Sequence, residues 1–166
     1  MTRRTASGRN RRGRLWEQSW ADHAALRVEV PVVVPFQDAD PTGFAWHGNY
    51  FRYYDTARVA LLARFDFGYF QMGAQRQIWP IVDTRVRYIR SAGFNSELRV
   101  SAQLVEWEYR LRIYYQIHNV DDALINEAYT VQVPVEAATE TMQFGVPISV
   151  QERVQALIDA GIDAGN

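Results

Sequence analysis

The sequence contains no cysteine and no lysine, and these two absences exclude several kinds of chemistry. Without cysteine there is no disulfide framework, no thiolate ligand for zinc and no thiol nucleophile. Without lysine there is no amine to form a Schiff base and no lysine for a phosphate-binding loop. All 18 basic residues are arginine, so a cationic contact at neutral pH must come from arginine or from protonated histidine.

Long apolar runs and the common nucleotide-binding and hydrolase motifs are also missing. No segment approaches the roughly 20 apolar residues that a membrane-spanning helix needs. The absence of G-x-S-x-G, G-x-G-x-x-G and G-x-x-x-x-G-K-[ST] argues against a serine hydrolase elbow and a nucleotide loop. His23, His47 and His118 lie too far apart in the chain for a local metal motif. We therefore expect neither a metal site nor a bound cofactor.

The length of 166 residues, with 48% hydrophobic and 22% charged residues, is typical of one globular domain with tails. The formal net charge of −1 hides an uneven distribution. Residues 1–14 contain six Arg and no acid, whereas residues 15–166 contain 12 Arg and 19 acids, a formal charge of −7. The small overall charge leads us to expect neither a nucleic-acid nor a membrane partner.

The Arg-rich segment 1–14 has almost no apolar side chains, so we expect it to be disordered. It does not resemble a secretory signal, because no apolar core follows the basic residues. A tail that binds nucleic acid or an anionic surface is one interpretation. The alternatives are a solvated tail and a start codon placed too far upstream.

Apolar periodicity divides the rest of the chain into two helices and five strands. Period-two alternation predicts antiparallel strands at 28–34, 79–90, 97–107, 110–118 and 127–136. Pro31 has no N–H group, which favours an edge or bulged position for the first strand. Spacings of three and four predict a long helix over 49–66, with Asn49 as its N-cap, and a terminal helix over 150–160. Ser149 and Glu152 form a capping box for the terminal helix, and Gly161 ends it. This order of elements predicts an α+β fold with an antiparallel sheet.

Residues 38–50, with the sequence DADPTGFAWHGNY, hold the densest group of chemically capable side chains. The first N–H groups of the predicted helix lack intrahelical partners and can hold an anion or a developing oxyanion. A carboxylate directed at that point can act as a nucleophile or as a base on water. The alternative is an Asp-rich turn that merely caps a helix, with His47 satisfied by hydrogen bonds.

The same segment resembles the hotdog-fold acyl-CoA thioesterases of the 4-hydroxybenzoyl-CoA thioesterase and tol-pal-associated type. The residues that match the pattern are Asp38, Asp40, Gly43, His47, Asn49, Tyr50, Tyr53, Asp55, Ala57 and Arg58. The resemblance extends to Val86-Arg87-Tyr88, Glu97-Leu98-Arg99-Val100 and Asn126-Glu127-Ala128, and covers about residues 27–136. It implies an antiparallel sheet of about five strands wrapped around one long helix, to which the sequence adds a C-terminal helix.

This resemblance also implies roles for individual residues. Asp40, the acid directly before proline, would be the catalytic carboxylate that attacks the thioester carbonyl or activates water. The backbone N–H of His47 would polarise that carbonyl, and the imidazole of His47 would assist or orient. Asp55 and Arg58 would form an exposed structural ion pair. The supporting residues of the turn and the helix start would be Asp38, Gly43, Gly48, Asn49 and Tyr50.

The loop 90–96, with the sequence RSAGFNS, departs from the family pattern, which usually has Pro-Ala and an Asp there. Because this loop normally borders the coenzyme A path, the thiol carrier stays open between coenzyme A and acyl carrier protein. Arg87 and Arg90 are candidates for phosphate contacts, since arginine binds phosphate oxygens in pairs. The alternative for both residues is an ordinary solvated charge on a strand.

Five aromatic residues after the long helix could line a slot for an aryl or polyenyl acyl chain or could simply pack in the core. They are Phe65, Phe67, Tyr69, Phe70 and Trp79.

The resulting hypothesis is a thioester hydrolase that acts on an acyl or aroyl thioester without a bound cofactor, coenzyme A being part of the substrate. One alternative is a hydratase or dehydratase on the same fold, with Asp40 and His47 as an acid–base pair. Another is a non-catalytic subunit that binds an acyl thioester. The resemblance implies a homodimer or homotetramer, and we expect a cytoplasmic protein. The expected organisation is a tail and lead-in at 1–26, a hotdog domain at 27–136 and an extension with a short helix at 137–166.

Overall fold

The computed structural model describes residues 23–163, and within them the chain forms three α-helices and eight β-strands. The Arg-rich segment 1–14 lies outside the described residues. The helices are α1 (Tyr50–Ala63), α2 (Tyr69–Ala74) and α3 (Ile148–Asp163). The strands are β1 (Arg27–Val33), β2 (Gln77–Ile78), β3 (Ile81–Tyr88), β4 (Glu97–Glu106), β5 (Leu111–Asn119), β6 (Leu124–Gln132), β7 (Val135–Glu136) and β8 (Thr141–Met142).

The main layer is a five-stranded antiparallel sheet in the order β1-β4-β5-β6-β3, and α1 packs against β4 and β1. The predicted α+β class is therefore confirmed. The edge position that Pro31 predicts is also confirmed, because β4 is the only strand that pairs with β1 in the described part of the chain. Alternating residues of the strands face α1, so that one face of the sheet builds the core. Among the described residues, no helix is both long and apolar enough to cross a membrane.

Helix α1 buries the face that its apolar spacing predicts. The residues of this face that are fully or almost fully buried are Tyr50, Tyr53, Tyr54, Ala57, Leu61 and Leu62. The small side chain of Ala57 lets the helix lie close to the sheet. The helix begins one residue later and ends three residues earlier than predicted, and a 3-10 turn over His47–Asn49 leads directly into it.

Two prolines explain where the predicted strands differ from the observed ones. The predicted strand 79–90 begins too early, because Pro80 separates β2, which ends at Ile78, from β3, which begins at Ile81; the predicted strand 127–136 is divided around Pro134 into β6 and β7. Proline cannot donate to a strand ladder, so the chain leaves the main sheet at both points. The short pieces β2 and β7 join β8 in a separate three-stranded sheet.

The terminal helix is longer than predicted at both ends. Because α3 begins at Ile148, Ser149 lies inside it and is not its N-cap. Because α3 runs to Asp163, Gly161 does not end it; a Cβ at Gly161 would stand 3.1 Å from the Cβ of Ala25, so glycine serves helix packing there. The buried side chains that this helix adds to the core are Val150, Val154 and Ile158.

Three of the five aromatic residues after α1 are buried in the core. Phe67 stacks on Phe65 with ring centres 6.2 Å apart and meets the Trp79 ring edge-on at 5.2 Å. All three rings are buried. Tyr69 and Phe70 are exposed at the start of α2, a short helix that the sequence did not predict.

Helix α2 also changes the surroundings of the ion pair predicted between Asp55 and Arg58. The pair is confirmed, with 2.8 Å between Arg58 Nη2 and Asp55 Oδ1. The pair is half buried, because the Arg58 side chain is 7% exposed and also donates a 3.1 Å hydrogen bond to the Tyr69 hydroxyl, whereas the Asp55 side chain is 55% exposed.

Leu61→Ala tests whether α1 is held by the packing of its buried face. We expect a loss of about 2–5 kcal/mol in the free energy of unfolding, because the substitution leaves a cavity between α1 and the sheet. Val59→Ala is the matched control on the exposed face of the same helix and should change the free energy by less than about 0.5 kcal/mol. Urea denaturation followed by circular dichroism measures both, and equal effects would contradict this packing.

Candidate active site

The segment between β1 and α1 is a chain of three tight turns. A 3-10 turn over Phe36–Asp38 comes first, a β-turn over Asp40–Gly43 follows, and the 3-10 turn over His47–Asn49 comes last. In the β-turn the Gly43 N–H donates to the Asp40 carbonyl at 2.9 Å. Gly43 has a φ of +82°, a conformation that glycine adopts without strain. The Asp40 N–H donates back across the turn to the Phe44 carbonyl at 2.8 Å. The local chemistry of Asp-Pro-Thr-Gly thus sets the position of Asp40.

The carboxylate of Asp40 is bound on one oxygen and open on the other. Its Oδ1 accepts hydrogen bonds from the Thr42 N–H at 2.8 Å and from the Thr42 hydroxyl. Within residues 23–163, Oδ2 accepts none. The hydrogen bonds from the Thr42 side chain and backbone lower the pKa of Asp40 below its ordinary value, and nearby His47 adds a smaller effect in the same direction. Asp40 is therefore a carboxylate at neutral pH, with one oxygen available for chemistry.

A hydrogen-bond donor lies at the start of the helical run. The 3-10 turn that begins at His47 continues into α1, so the backbone N–H of His47 is at the positive end of the helix dipole. In the described part of the chain this N–H has no hydrogen-bond partner. The Asn49 N–H, two residues on, is satisfied by the Trp46 carbonyl at 2.9 Å. The described residues therefore leave the His47 N–H available to an acceptor.

Asp38 joins the turns to the helix. Its side chain is 1% exposed; Oδ1 accepts from Arg52 Nη1 at 2.7 Å and Oδ2 accepts from the Tyr53 hydroxyl at 2.9 Å. Burial, followed by the bond to Asp38, raises the pKa of Tyr53, so the phenol stays a donor. The Asp38 carbonyl accepts from the Trp46 N–H at 2.8 Å and from Asn49 Nδ2 at 3.0 Å. Asp38 therefore organises the turn and the helix start.

Asn49 occupies the N-cap position of α1 but does not cap the helix with its side chain. The backbone of Asn49 is already helical, with φ −74° and ψ −18°, because the 3-10 turn precedes it. A capping residue needs extended backbone to turn its side chain towards the following N–H groups. Its amide binds Asp38 instead, so the predicted capping role is wrong.

Gly48 and Tyr50 shape the wall beside the helix start. A Cβ on Gly48 would stand 2.1 Å from a ring carbon of Trp46, so glycine lets the indole lie across this turn. The Trp46 ring in turn lies 4.6 Å from the imidazole of His47. The buried Tyr50 hydroxyl accepts from the Ala92 N–H at 3.2 Å and ties the loop 90–96 to α1. Burial raises the pKa of Tyr50, which keeps it neutral.

A cavity of about 280 Å³ opens beside this helix start. Its wall includes two of the predicted site residues, His47 and Tyr50, and one of the two predicted phosphate contacts, Arg90. The residues that line it are Ala45, His47, Tyr50, Tyr88, Ile89, Arg90 and Ser91. Asp40 is not among them and lies across the turn from His47. The described residues contain no group of three or more His, Asp or Glu side chains that could hold a metal ion.

The two arginines proposed for phosphate contacts differ in their surroundings. Arg90 lines the cavity, is exposed, and uses Nη1 to donate to the Leu124 carbonyl at 2.8 Å. Arg87 forms a 3.3 Å ion pair with Glu127, whose buried carboxylate also accepts from the Tyr114 hydroxyl at 2.5 Å. The structure therefore brings Arg90 to the cavity and engages Arg87 in an ion pair with a buried carboxylate.

Sequence reasoning assigned no role to Tyr88, which lines the cavity and touches the helix start. Its hydroxyl donates to the His47 carbonyl at 2.8 Å. The motif Val86-Arg87-Tyr88 marked the residue only as part of a family pattern. No sequence signal shows a hydrogen bond between residues 41 positions apart.

A helix, here α1, laid against a five-stranded antiparallel sheet is the arrangement of the hotdog class. The thioesterase-like superfamily model matches residues 34–158, so the chain belongs to this superfamily.

Individual relatives agree with this membership. The acyl-CoA thioester hydrolase YbgC of Escherichia coli O6:H1 is 26% identical over 107 residues, which are 64% of this chain and 80% of that protein. The structure of DHNA-CoA thioesterase from Staphylococcus aureus has a TM-score of 0.70 and 22% identity, covering 81% of this chain and 95% of that chain. A 4-hydroxybenzoyl CoA thioesterase mutant complexed with 4-hydroxybenzoyl CoA has a TM-score of 0.68 and 18% identity, covering 77% and 98%. The predicted hotdog fold is confirmed.

Thr42→Val tests whether the Thr42 hydroxyl lowers the pKa of Asp40. The substitution removes the hydroxyl donor and leaves the backbone N–H, so we expect the pKa of Asp40 to rise towards its ordinary value of 3.8. Because the folded-state pKa is lowered, the stabilisation from this ionisation is present above pH 3.8 and is lost as the pH falls through the lowered value. A carbon-13 NMR titration of the Asp40 carboxyl measures the shift. A wild-type midpoint at or above that of the variant would contradict the role of Thr42.

Proposed function

We propose that this protein is a thioesterase that hydrolyses an acyl or aroyl thioester of coenzyme A or of acyl carrier protein. The observation that carries the proposal is the pairing of an ionised carboxylate, Asp40, with the unpartnered His47 N–H at the start of α1. Membership of the thioesterase-like superfamily supports thioester hydrolysis as the reaction. The relatives named above are, by their names, an acyl-CoA thioester hydrolase and aromatic CoA thioesterases.

In the proposed reaction the His47 N–H binds the thioester oxygen as negative charge develops on it. Such donors accelerate acyl transfer because the charge is larger in the transition state than in the substrate. Along one route an Asp40 oxygen bonds to the carbonyl carbon and the thiolate leaves, after which water cleaves the mixed anhydride. Along the other route Asp40 takes a proton from water while the hydroxide adds to the carbonyl carbon. The tetrahedral intermediate then re-forms the carbonyl, its C–S bond breaks, and the thiolate leaves and takes the proton from Asp40. Both routes need Asp40 in its ionised form, and in both the imidazole of His47 assists or orients.

The cavity beside the helix start is the proposed path of the thiol carrier. Arg90 is the cation on its wall, and arginine suits the phosphate groups that coenzyme A and carrier-bound phosphopantetheine share. Arg87 is the weaker candidate, because a phosphate would have to compete with Glu127 for its guanidinium. No bound cofactor is part of the proposal. The expected cytoplasmic location stays a prediction.

We infer a homodimer or homotetramer, supported by the free edge of the sheet. Within the described residues, strand β3 pairs only with β6, so its other side presents backbone groups that a second chain can bind. Ile81 and Val82, at the beginning of this strand, are 41% and 57% exposed, and a partner would bury their apolar side chains. Tyr88, at the opposite end of β3, lines the cavity, so a partner that paired along the whole strand would reach the site.

Asp40→Asn tests the proposed catalytic carboxylate. We expect hydrolysis to fall by at least about 100-fold, because the amide can neither attack the carbonyl nor accept a proton from water. The assay follows free thiol from a panel of short, long and aryl acyl-CoAs and from an acyl carrier protein thioester. Asp121→Asn, the same change in the exposed turn after β5, is the matched control and should keep wild-type rates. Full activity of Asp40→Asn would exclude this role for Asp40.

Sedimentation velocity tests the proposed assembly. The wild type should sediment as a dimer or tetramer, and Val82→Arg should shift it towards monomer by placing a charge on the β3 edge. Val120→Arg, at a position 68% exposed in the turn between β5 and β6, is the control and should leave the assembly unchanged. A monomeric wild type would contradict the proposal.

A further inference from the structure

The buried hydroxyl of Tyr50 has a proton that no group of the described residues accepts. Tyr50 is 2% exposed and lines the cavity beside the helix start. Its hydroxyl oxygen accepts from the Ala92 N–H at 3.2 Å, which leaves the O–H group of the phenol as an unused donor. A buried tyrosine hydroxyl usually binds an acceptor, so this donor calls for a partner that enters from the cavity.

Two contacts place the Tyr50 hydroxyl at the cavity wall. The peptide nitrogen that it binds belongs to Ala92 and is bonded directly to Ser91, which lines the cavity. The Tyr50 ring also meets the ring of Tyr88, another residue of the wall, with ring centres 5.7 Å apart. The hydroxyl therefore lies where the loop 90–96 and the end of β3 border the cavity.

We propose that the Tyr50 hydroxyl donates a hydrogen bond to the first amide carbonyl of the pantetheine arm, which coenzyme A and carrier-bound phosphopantetheine share. The inference rests on the proposed thioesterase function and gives a substrate contact to a residue of the helix start. Tyr50 follows His47 by three residues in the same helical run, and both residues line the cavity. In the substrate only two methylene groups separate the sulfur from this amide. A thioester held at the His47 N–H therefore carries the amide along the same wall.

The chemistry of Tyr50 suits a neutral acceptor. Burial raises the pKa of Tyr50 above its ordinary value, and the bond from the Ala92 N–H offsets only part of that effect. The hydroxyl therefore keeps its proton at neutral pH and is a poor acid towards a leaving thiolate. An amide carbonyl is a neutral acceptor that needs a donor when the arm leaves water, whereas the phosphate groups of the carrier suit Arg90.

Tyr50→Phe removes the hydroxyl and keeps the ring, but it also releases the Ala92 N–H, so the test compares two substrates. S-benzoyl-N-acetylcysteamine carries the first amide of the arm, and ethyl thiobenzoate is a benzoyl thioester without it. We expect kcat/KM of the variant to fall by about 5- to 20-fold more for the first substrate, because only there does an amide lose its donor. A disturbance of the loop 90–96 lowers both rates and cancels in the ratio. Tyr109→Phe, the same change at a residue 74% exposed between β4 and β5, is the matched control and should keep wild-type rates.

A binding measurement separates this contact from the proposed reaction. The dissociation constant of non-hydrolysable S-ethyl coenzyme A, measured by calorimetry, should rise by about 5- to 20-fold in Tyr50→Phe and stay unchanged in Tyr109→Phe. The same change in kcat/KM for both benzoyl thioesters, or no change, would overturn the inference alone. A wild type that hydrolyses no thioester but binds S-ethyl coenzyme A more tightly than Tyr50→Phe would overturn the proposed function and keep the contact. Wild-type rates with the coenzyme A and acyl carrier protein thioesters of the hydrolysis panel identify the carrier that brings the arm.

Discussion

The site depends on the hydrogen bonds that the buried Asp38 makes with α1 and with the start of the helical run. Its two oxygens bind Arg52 and Tyr53 on the side of α1, and its backbone carbonyl binds the residues that open the helical run. A buried carboxylate without such partners would be strongly destabilising, so the loop can adopt this position only when the helix presents both donors. The two chemical groups of the site, the Asp40 carboxylate and the His47 N–H, stand two and nine residues further along this anchored segment.

The core explains why that anchor is rigid. Helix α1 buries Tyr54, Ala57 and Leu61 against the sheet, and the hydroxyl of Tyr54 donates to buried Asn126 at 2.8 Å. Packing and hydrogen bonding thus fix both the depth and the rotation of the helix. The donors for Asp38 project from the same helix, so the position of the turn that carries Asp40 follows from the packing of the core. The packing of α1 against the sheet thus holds the helix start and the Asp40 carboxylate next to each other.

The sequence predicted those parts of the site that depend on local chemistry. The Asp40–Gly43 turn follows from residues next to one another in the chain, and so does the free N–H at the helix start. Contacts across the fold were not predictable: Asp38 meets Arg52 14 residues away, and Tyr88 meets His47 41 residues away. The same limit explains the wrong end of α3, where Gly161 serves contact with Ala25, a neighbour that no local pattern reveals. Local signals predicted the five strands of the main sheet, α1 and α3 in their order, but not the short elements α2, β2 and β8, and tertiary packing decided the ends and partners of the elements.

In the proposed reaction, the thioester carbonyl lies between the side chain at position 40 and the His47 N–H. The most direct test is a crystal structure of Asp40→Asn protein with benzoyl coenzyme A bound. We expect the thioester oxygen to lie within about 3 Å of the His47 nitrogen, and the carbonyl carbon to lie within about 3.5 Å of the side chain at position 40. A thioester bound away from this turn, with the His47 N–H turned towards another group, would contradict the proposed reaction.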